Sequence, residues 1–299
     1  MNLKRIHGNT YYIPGATNIG VYLFKDKYTL LVDSGINNQQ TRKITEILSE
    51  HNMNVKYIIN THNHIDHTGG NSFIKEHFPG SIIYASEKEK LYIENDLLFP
   101  LYLYGGYPIN YFAKNFKRSK ENLVDETIYT GINKINNEKF EIIAIPGHAE
   151  GQIGIGTRDR VVFLGDALFS EEIINKYSFP FLFNIKEQLD TYDIIGSLDY
   201  DYFVLSHGEN IYDKKEINNL IEINKNNLDK YFEIIIELLN QPKTKEDLLE
   251  EITILEDLNL DLKEYYFSLS TVAAFITFLY NKEIIKYELE NGKLYFYKG

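Results

Sequence analysis

The chain has 299 residues, 43% of them hydrophobic and 25% charged, which is the composition of a globular protein with room for a large and a small domain. Its formal net charge of −12 opposes long-range attraction to nucleic acid, so a nuclease would need a local basic patch. It has no cysteine, which excludes disulfide bonds and cysteine-ligated zinc, and no apolar run long enough to span a membrane.

The first part of the chain predicts strands and then a helix. The opening segment Met1–Gly8 lacks the apolar stretch of a signal peptide, so we expect a cytoplasmic protein that makes no membrane contact. Residues 11–33 predict two or three strands, and residues 38–50 carry apolar side chains at helical spacing. The apolar run 55–59 predicts a buried strand.

The segment directly after this strand holds four metal-ligand side chains within six residues: His62, His64, Asp66 and His67. A packed core does not need such a cluster, whereas imidazole and carboxylate groups suit Zn²⁺, Fe²⁺ or Mn²⁺. In an extended segment the alternating His62 and His64 rings point the same way, and Asp66 and His67 follow at a turn where they can serve a second ion. The glycine pair 69–70 is predicted to let the backbone bend sharply around the cluster.

The segment beyond the motif combines a short helix with an aromatic insertion. Asn71 is predicted to cap a helix that ends near Pro79. Residues 92–125 break the strand pattern, and their aromatic side chains either form a lid or pocket wall or simply bury the insertion against the domain. The basic run 114–120 is interpreted as the solvated face of an inserted helix. The aromatic segment 169–183 is the stronger candidate for lining a site, because it follows closely after a predicted ligand.

Further ligand-type residues stand at the ends of later apolar runs. Short apolar runs beside glycine predict buried strands, and functional side chains gather in the loops at strand ends. We therefore predict that three later residues lie beside the cluster of four at 62–67. Together they give seven ligands, enough for two ions with coordination positions left for water or substrate. The run 140–145 leads to His148, the run 161–164 leads to Asp166, and the run 203–205 leads to His207.

The last part of the chain predicts three helices and a β-hairpin, which is the order found in winged-helix domains. From residue 211 onward there are 17 acidic against 11 basic residues, so we interpret this region as an interaction or lid module, with nucleic acid disfavoured as a partner. An apolar face on its third helix could form a homodimer or pack on the parent domain. The predicted helices are 214–239, a second that Thr244 caps and that runs through Leu249, and 262–280, and the hairpin turns at 290–292.

The pattern His-x-His-x-Asp-His, followed by a distant His, Asp and His, resembles the metallo-β-lactamase superfamily of metallohydrolases. The resemblance covers roughly the first 210 residues, and it includes Asp33, which stands in a segment similar to the family's early Asp-Ser/Thr-Gly turn. It implies an α/β fold: a four-layer αββα sandwich of two facing sheets with outer helices. We therefore predict a hydrolase domain at 1–212 and a small, mostly helical, winged-helix-like domain at 213–299.

The resemblance also implies a site with two divalent metal ions per chain, which we predict to be zinc, with iron or manganese as alternatives. A metal-bridging hydroxide would attack the substrate. Asp66 and Asp33 are predicted to take part in catalysis, the first beside the hydroxide and the second through hydrogen bonds that hold ligands in place. The implied ligands are His62, His64 and His148 for one ion, Asp66, His67 and His207 for the other, and Asp166 for both.

Differences between this sequence and individual branches of the superfamily reduce the number of reactions that we expect. Common zinc β-lactamases use a cysteine ligand, and flavodiiron proteins usually have glutamate at the position of His64. A glyoxalase II-like ligand set matches well, although the absence of arginine after Arg160 argues against glutathione as substrate. We predict hydrolysis of a small-molecule ester, thioester or lactone. The alternatives are a phosphodiesterase or endoribonuclease and, from another class, a metal-binding sensor or interaction module.

Overall fold

The computed structural model of the protein describes residues 1–118 and 122–299. Residues 119 and 120 of the predicted basic run and residue 121 of the predicted insertion lie outside this description. Two β-sheets face each other and helices cover their outer surfaces, which confirms the predicted α/β sandwich. A mostly helical region with a terminal hairpin follows the sandwich.

The first sheet has seven strands, and their order in the sheet is their order in the chain. The first four strands pair antiparallel, and the fourth to the seventh pair in parallel. The carboxyl ends of the parallel strands therefore lie at one edge of the sheet. The strands are β1 (Lys4–His7), β2 (Thr10–Ile13), β3 (Ile19–Leu23), β4 (Tyr28–Val32), β5 (Asn54–Ile59), β6 (Ile82–Ala85) and β7 (Glu126–Thr127).

The second sheet has six strands: β8 (Gly131–Ile135), β9 (Glu138–Ala144), β10 (Ile153–Thr157), β11 (Val161–Phe163), β12 (Tyr202–Val204) and β13 (Ile211–Tyr212). Their order across the sheet is β13-β12-β11-β10-β9-β8. Neighbouring strands run antiparallel except β11 and β12, which are parallel. The loops that follow β11 and β12 therefore leave the sheet at the same edge.

Alternating side chains along the strands build one core between the sheets and another beneath the outer helices. In β4, Leu30 and Val32 pack into the space between the sheets, whereas Leu31 packs under the helices that cover the first sheet. Phe140 and Phe163 of the second sheet complete the inner core. Burial of each such large apolar side chain stabilises the fold by about 1.5–3 kcal/mol.

Short helices cover the sandwich and make up nearly half of the described residues of the predicted insertion. Every helix in the described residues is too short or too polar to traverse a lipid bilayer. The aromatic pattern alone did not indicate these helices in the insertion. The helices are α1 (Asn38–Glu50), α2 (Ile65–Thr68), α3 (Asn71–His77), α4 (Glu87–Glu94), α5 (Leu98–Tyr104), α6 (Asn110–Lys114), α7 (Glu171–Lys176) and α8 (Ile185–Ser197).

The C-terminal region packs on the second sheet through one continuous apolar core, which joins Leu164 of the sandwich to Leu248, Val272 and Phe296. The apolar face of the third predicted helix is thus turned toward the parent domain. Thr244 caps the second helix with a capping box, as predicted, although that helix ends at Leu255 rather than Leu249. The elements are α9 (Lys214–Leu238), α10 (Lys245–Leu255), α11 (Leu262–Asn281), β14 (Ile285–Glu290) and β15 (Lys293–Lys298).

The predicted cap of α3 is wrong. Gly70 occupies the N-cap position, and Asn71 is the first helical residue and fully buried. The side chain of Asn71 instead accepts a hydrogen bond from the Ser34 hydroxyl at 2.7 Å and donates one to the Asn60 side chain at 2.7 Å. These bonds join the loop after β4 to the loop after β5, so Asn71 supports the loops that carry the predicted ligands.

Candidate metal centre

The predicted ligands all follow the carboxyl ends of strands, as the sequence indicated. The residues 62–67 follow β5, His148 follows β9, Asp166 follows β11 and His207 follows β12. The structure brings these four loops together at one edge of the sandwich and forms two ligand groups, within each of which the ligand atoms lie within 4.8 Å of one another. The first group is His62, His64, His148 and Asp166, and the second is Asp66, His67 and His207.

In the first group, hydrogen bonds at Nδ1 turn two rings so that Nε2 faces the common centre. His148 Nδ1 lies 3.0 Å from the Phe181 carbonyl oxygen, and His62 Nδ1 lies 3.1 Å from the Thr61 hydroxyl. His64 is turned the other way, and its Nδ1 lies 3.1 Å from His148 Nε2. A proton fixed on one ring nitrogen leaves the lone pair of the other free for a cation.

The second group repeats this arrangement on the more open side of the site. His67 Nδ1 lies 2.7 Å from an Asp33 oxygen, and His207 Nδ1 lies 2.6 Å from the Ala16 carbonyl. Their Nε2 atoms lie 3.3 and 3.4 Å from Asp66 Oδ2. The side chains of Asp66 and His207 are 27% and 25% exposed, so this half of the site can be reached from solvent.

Asp166 lies between the two groups. Its Oδ1 is 3.5 Å from His67 Nε2, and its Oδ2 is 3.3 Å from His207 Nε2 and 3.5 Å from His148 Nε2. These separations are close to the edge of a tetrahedron with metal–ligand bonds of about 2.0–2.1 Å, an edge of roughly 3.3–3.4 Å. The carboxylate is thus within reach of both groups.

Unpartnered buried atoms test whether this site fits metal ions. Nε2 of His62, Nε2 of His67 and Oδ1 of Asp166 are buried and make no hydrogen bond within the described part of the chain. Each such atom costs about 1–3 kcal/mol when it is left unsatisfied, so native structures rarely keep several together without a reason. Cations at the two groups would satisfy all three atoms, and the residues present therefore fit two metal ions.

Asp33 holds His67, a member of the second group, in place through a hydrogen bond. Its carboxylate accepts hydrogen bonds from the Thr61 backbone at 2.8 Å, the Thr61 hydroxyl at 2.9 Å and His67 Nδ1 at 2.7 Å. Its backbone is left-handed, with φ of 66°, a conformation that costs free energy in a residue other than glycine. The Asp33 carboxylate thus contacts His67 through Nδ1, although Asp33 is not itself a member of either ligand group.

Burial and charge set the protonation of the ligands. Burial lowers the pKa of His62, His64 and His148, which favours the neutral imidazole that binds a metal ion. Burial alone would raise the pKa of Asp166, but the positive charge of His207 holds it well below its usual value. In turn, the Asp166 carboxylate raises the pKa of His207 to about 10.

We expect the second ligand group to bind metal more tightly as pH rises. In the metal-free protein His207 keeps its proton up to about pH 10, and a cation can take its Nε2 only after that proton leaves. Below that pH, each proton released should raise the apparent zinc association constant about tenfold per pH unit. Calorimetric zinc titrations in two buffers of different ionisation enthalpy count the protons released. An affinity that stays constant from weakly acidic to weakly alkaline pH would contradict the expectation.

Two buried charges that sequence reasoning missed hold Asn63, the residue between His62 and His64. The Glu89 carboxylate accepts hydrogen bonds from the Asn63 backbone and side chain, both at 2.7 Å. The Arg118 guanidinium donates to the Asn63 carbonyl oxygen. Glu89 is fully buried and Arg118 is 7% exposed, so the interpretation of the basic run as a solvated face is wrong for Arg118.

The predicted reason for the glycine pair is also wrong. Neither glycine has a positive φ: Gly69 has φ −62° and Gly70 has φ −92°. Both are needed for close packing, because a Cβ at Gly69 would collide with the Ile36 carbonyl and a Cβ at Gly70 with Thr41 and Ser34. The glycine pair lets the loop that carries residues 62–67 lie against the start of α1. Local sequence patterns do not predict this contact.

Aromatic rings from three separate segments surround His64. Phe99 of the insertion and Phe181 of the predicted lining segment have ring centroids 4.9 and 5.7 Å from the His64 ring. Phe267 of α11, which sequence reasoning did not single out, stacks at 6.4 Å. Phe112 of the insertion is instead fully buried. The insertion therefore both lines the site and buries aromatic side chains.

The chain is similar to known hydrolases in sequence. Residues 12–207 match the sequence profile of the metallo-beta-lactamase superfamily. Over 158 residues the chain is 30% identical to the hydroxyacylglutathione hydrolase GloC of Haemophilus influenzae, a match that covers 52% of this chain and 68% of that protein. It is also 30% identical over 157 residues to the hydroxyacylglutathione hydrolase of Pelagibacter ubique, where it covers 49% of this chain and 53% of that protein. The chain thus matches about half of the length of this second relative.

The fold agrees with the sequence match. A crystal structure of a metallo-beta-lactamase family protein from Thermus thermophilus superposes with a TM-score of 0.76 at 19% identity. The superposition covers 97% of this chain and 99% of that one, so the C-terminal helices are part of the shared architecture. Sequence and fold together establish that the protein is a hydrolase of the metallo-beta-lactamase superfamily.

Proposed function

We propose that the protein hydrolyses a small thioester, ester or lactone with two divalent metal ions, and that these ions are zinc. The observation that carries the proposal is the position of Asp166 between two ligand groups, with unpartnered atoms of His62, His67 and Asp166 aimed at the shared space. Two bound ions supply a nucleophile at neutral pH and polarise the substrate carbonyl.

The proposed roles of individual residues follow from their contacts. Asp33 fixes the His67 ring through Nδ1, and so keeps Nε2 available as a ligand. Asp66, on the open side, is held by the Thr17 hydroxyl at 3.1 Å and is placed to accept a proton from the attacking water. The proposed ligands are His62, His64 and His148 for one ion, Asp66, His67 and His207 for the other, and Asp166 for both.

Two observations favour a carbonyl substrate over a phosphodiester. The similar proteins from H. influenzae and P. ubique are named as hydroxyacylglutathione hydrolases, and such substrates are acyl thioesters. In addition, acidic side chains line the groove beside the His207 loop, where they would repel a phosphate backbone: Glu171, Glu172, Glu209, Asp213 and Glu216. We therefore retain the thioester, ester and lactone class as the proposed substrate.

We further propose that residues 1–212 form the hydrolase domain and residues 213–299 a winged-helix-like domain that acts as one wall of the site. The contact of Phe267 with His64 supports this role for the C-terminal region.

The proposal predicts turnover that depends on metal. Zinc-loaded protein should hydrolyse a simple acyl thioester with saturation, and lose that activity when a chelator removes the metal, because the proposed nucleophile is a water molecule that the metal ions activate. Added zinc should restore it. Spectrophotometric release of thiol measures the reaction, with an aryl ester, a lactone, an aryl phosphodiester and RNA as parallel substrates. Turnover of phosphodiesters alone would contradict the proposal, and inertness of fully metallated protein toward every substrate would favour a sensor or interaction module.

A further inference from the structure

A pocket opens beside the metal centre between the insertion and helix α11. His64 and Asp66 lie at its inner side, and its walls include Tyr92, Phe116 and Phe267. We propose that this pocket receives the acyl group of the substrate and accepts short apolar chains only. The inference rests on the proposed hydrolase function. It identifies the acyl chain as the part of the substrate that determines selectivity.

The apolar part of the pocket wall is built from aromatic rings, chiefly Phe99, Phe116 and Phe267. Phe99 packs against Phe116 and Phe267 with ring centroids 5.5 and 5.9 Å apart, and Phe116 lies 6.1 Å from Phe267. Phe181 closes the cluster at 5.0 Å from Phe267. Aromatic faces favour apolar groups, because burial of such groups there removes apolar surface from water without leaving a polar atom unsatisfied.

Two charged residues around the pocket, Asp96 and Arg118, pair with each other, and the third, Lys263, lies over an aromatic ring of the wall. Asp96 forms an ion pair with Arg118, whose other hydrogen bonds reach Asn63 and Thr68. The Lys263 ammonium lies 5.1 Å above the Phe267 ring, and within the described residues it has no carboxylate partner. A cation that rests on an aromatic face is partly stabilised by that ring, so Lys263 extends the Phe267 wall.

The size of the pocket sets the length of the chain that it accepts. Its volume is about 80 Å³. A cavity of about 150 Å³ holds a benzene molecule, and one water molecule takes about 30 Å³ in the liquid, so this pocket has room for roughly three non-hydrogen atoms. With the carbonyl group held outside the pocket at the metal centre, the alkyl chains of acetyl, propanoyl and butanoyl groups, with one to three carbons, fit. The chains of hexanoyl and octanoyl groups and the ring of a benzoyl group have five to seven carbons and would need a wall to move.

Phe267 is the wall that tests the proposal, because it stands on α11 and contacts His64 without belonging to either ligand group. Phe267→Ala removes one ring and should shift the optimum to longer chains. The ratio of kcat/KM for octanoyl over butanoyl thioester should rise about tenfold or more, since each methylene that a pocket refuses is worth roughly 10-fold to 200-fold. Phe267→Trp narrows the pocket and should shift the optimum toward acetyl.

The experiment uses the zinc-loaded full chain and a series of acyl thioesters of one thiol, then one acyl group on several thiols. Tyr280→Ala on the same helix is the matched control, because Tyr280 is 45% exposed and lies outside the pocket, and it should keep the wild-type profile. Opposite shifts in the alanine and tryptophan variants support the inference, and the tryptophan variant alone suffices if the alanine variant does not fold. The inference would be overturned if both variants turned over substrate at the wild-type rate with an unchanged chain-length profile. A wild-type preference for succinyl over butanoyl thioester, or selectivity governed by the thiol alone, would also overturn it. Absence of any wild-type thioester turnover would instead count against the proposed function.

Discussion

Asp166→Asn should lower thioester turnover by on the order of 10³-fold or more, because a neutral amide cannot join two cations as a carboxylate can. Asp166 is 6% exposed and lies within 3.5 Å of the Nε2 atoms of His67, His148 and His207. The amide has nearly the same size, so the fold should survive. Metal analysis of the purified variant should find fewer than two ions per chain, and circular dichroism should match that of the wild type.

The control for this variant is Asp193→Asn, which changes an aspartate whose side chain is 78% exposed and forms an ion pair with Lys225 at the surface. It should leave metal content and turnover unchanged. Full activity of Asp166→Asn with two bound ions would contradict the proposed shared ligand. Loss of activity with a full complement of metal would instead place the role of Asp166 in the reaction rather than in metal binding.

Glu89→Ala should destabilise the fold by about 2–6 kcal/mol, because it leaves two buried donors of Asn63 unsatisfied at about 1–3 kcal/mol each, and it should weaken metal binding about 10-fold to 100-fold. The fully buried carboxylate accepts three hydrogen bonds of 2.7 Å, two from Asn63 and one from the Gly151 backbone. It therefore ties the loop of His62 and His64 to the loop of His148. Its removal leaves three donors without this acceptor, two of them buried and one partly buried, and frees both loops to move.

Urea unfolding of the metal-free protein measures the change in stability, and zinc titration with a competing chelator measures the change in affinity. Glu87→Gln is the matched control, because Glu87 stands on the same helix and is exposed. Glu89→Gln keeps one acceptor oxygen and should fall between the wild type and the alanine variant. If Glu89→Ala loses stability but binds zinc as tightly as the wild type, Glu89 is a structural residue and not a positioning residue.

Local patterns in the sequence determined the elements and the ligand candidates. The ligand cluster at 62–67 is visible because four ligand-type side chains within six residues have no other use in a core. The later ligands His148, Asp166 and His207 are visible because each follows an apolar run that forms a strand. The sequence signals for the C-terminal helices are also local, because Thr244 and its neighbours form their own capping motif. Periodicity and capping act over a few residues, so a single sequence records them.

Tertiary structure alone decided what supports and surrounds those ligands. Glu89 lies in a Glu-Lys-Glu-Lys stretch typical of a solvated helix, yet it is fully buried against a loop 26 residues away. Arg118 stands in a basic run, and Phe267 is one of many aromatic residues on α11. Their roles depend on which distant segments pack against them, and a partner of this kind leaves no periodic trace in the chain. The sequence therefore specified the candidate metal ligands, whereas the packing of distant segments specified the residues that hold them and the pocket beside them.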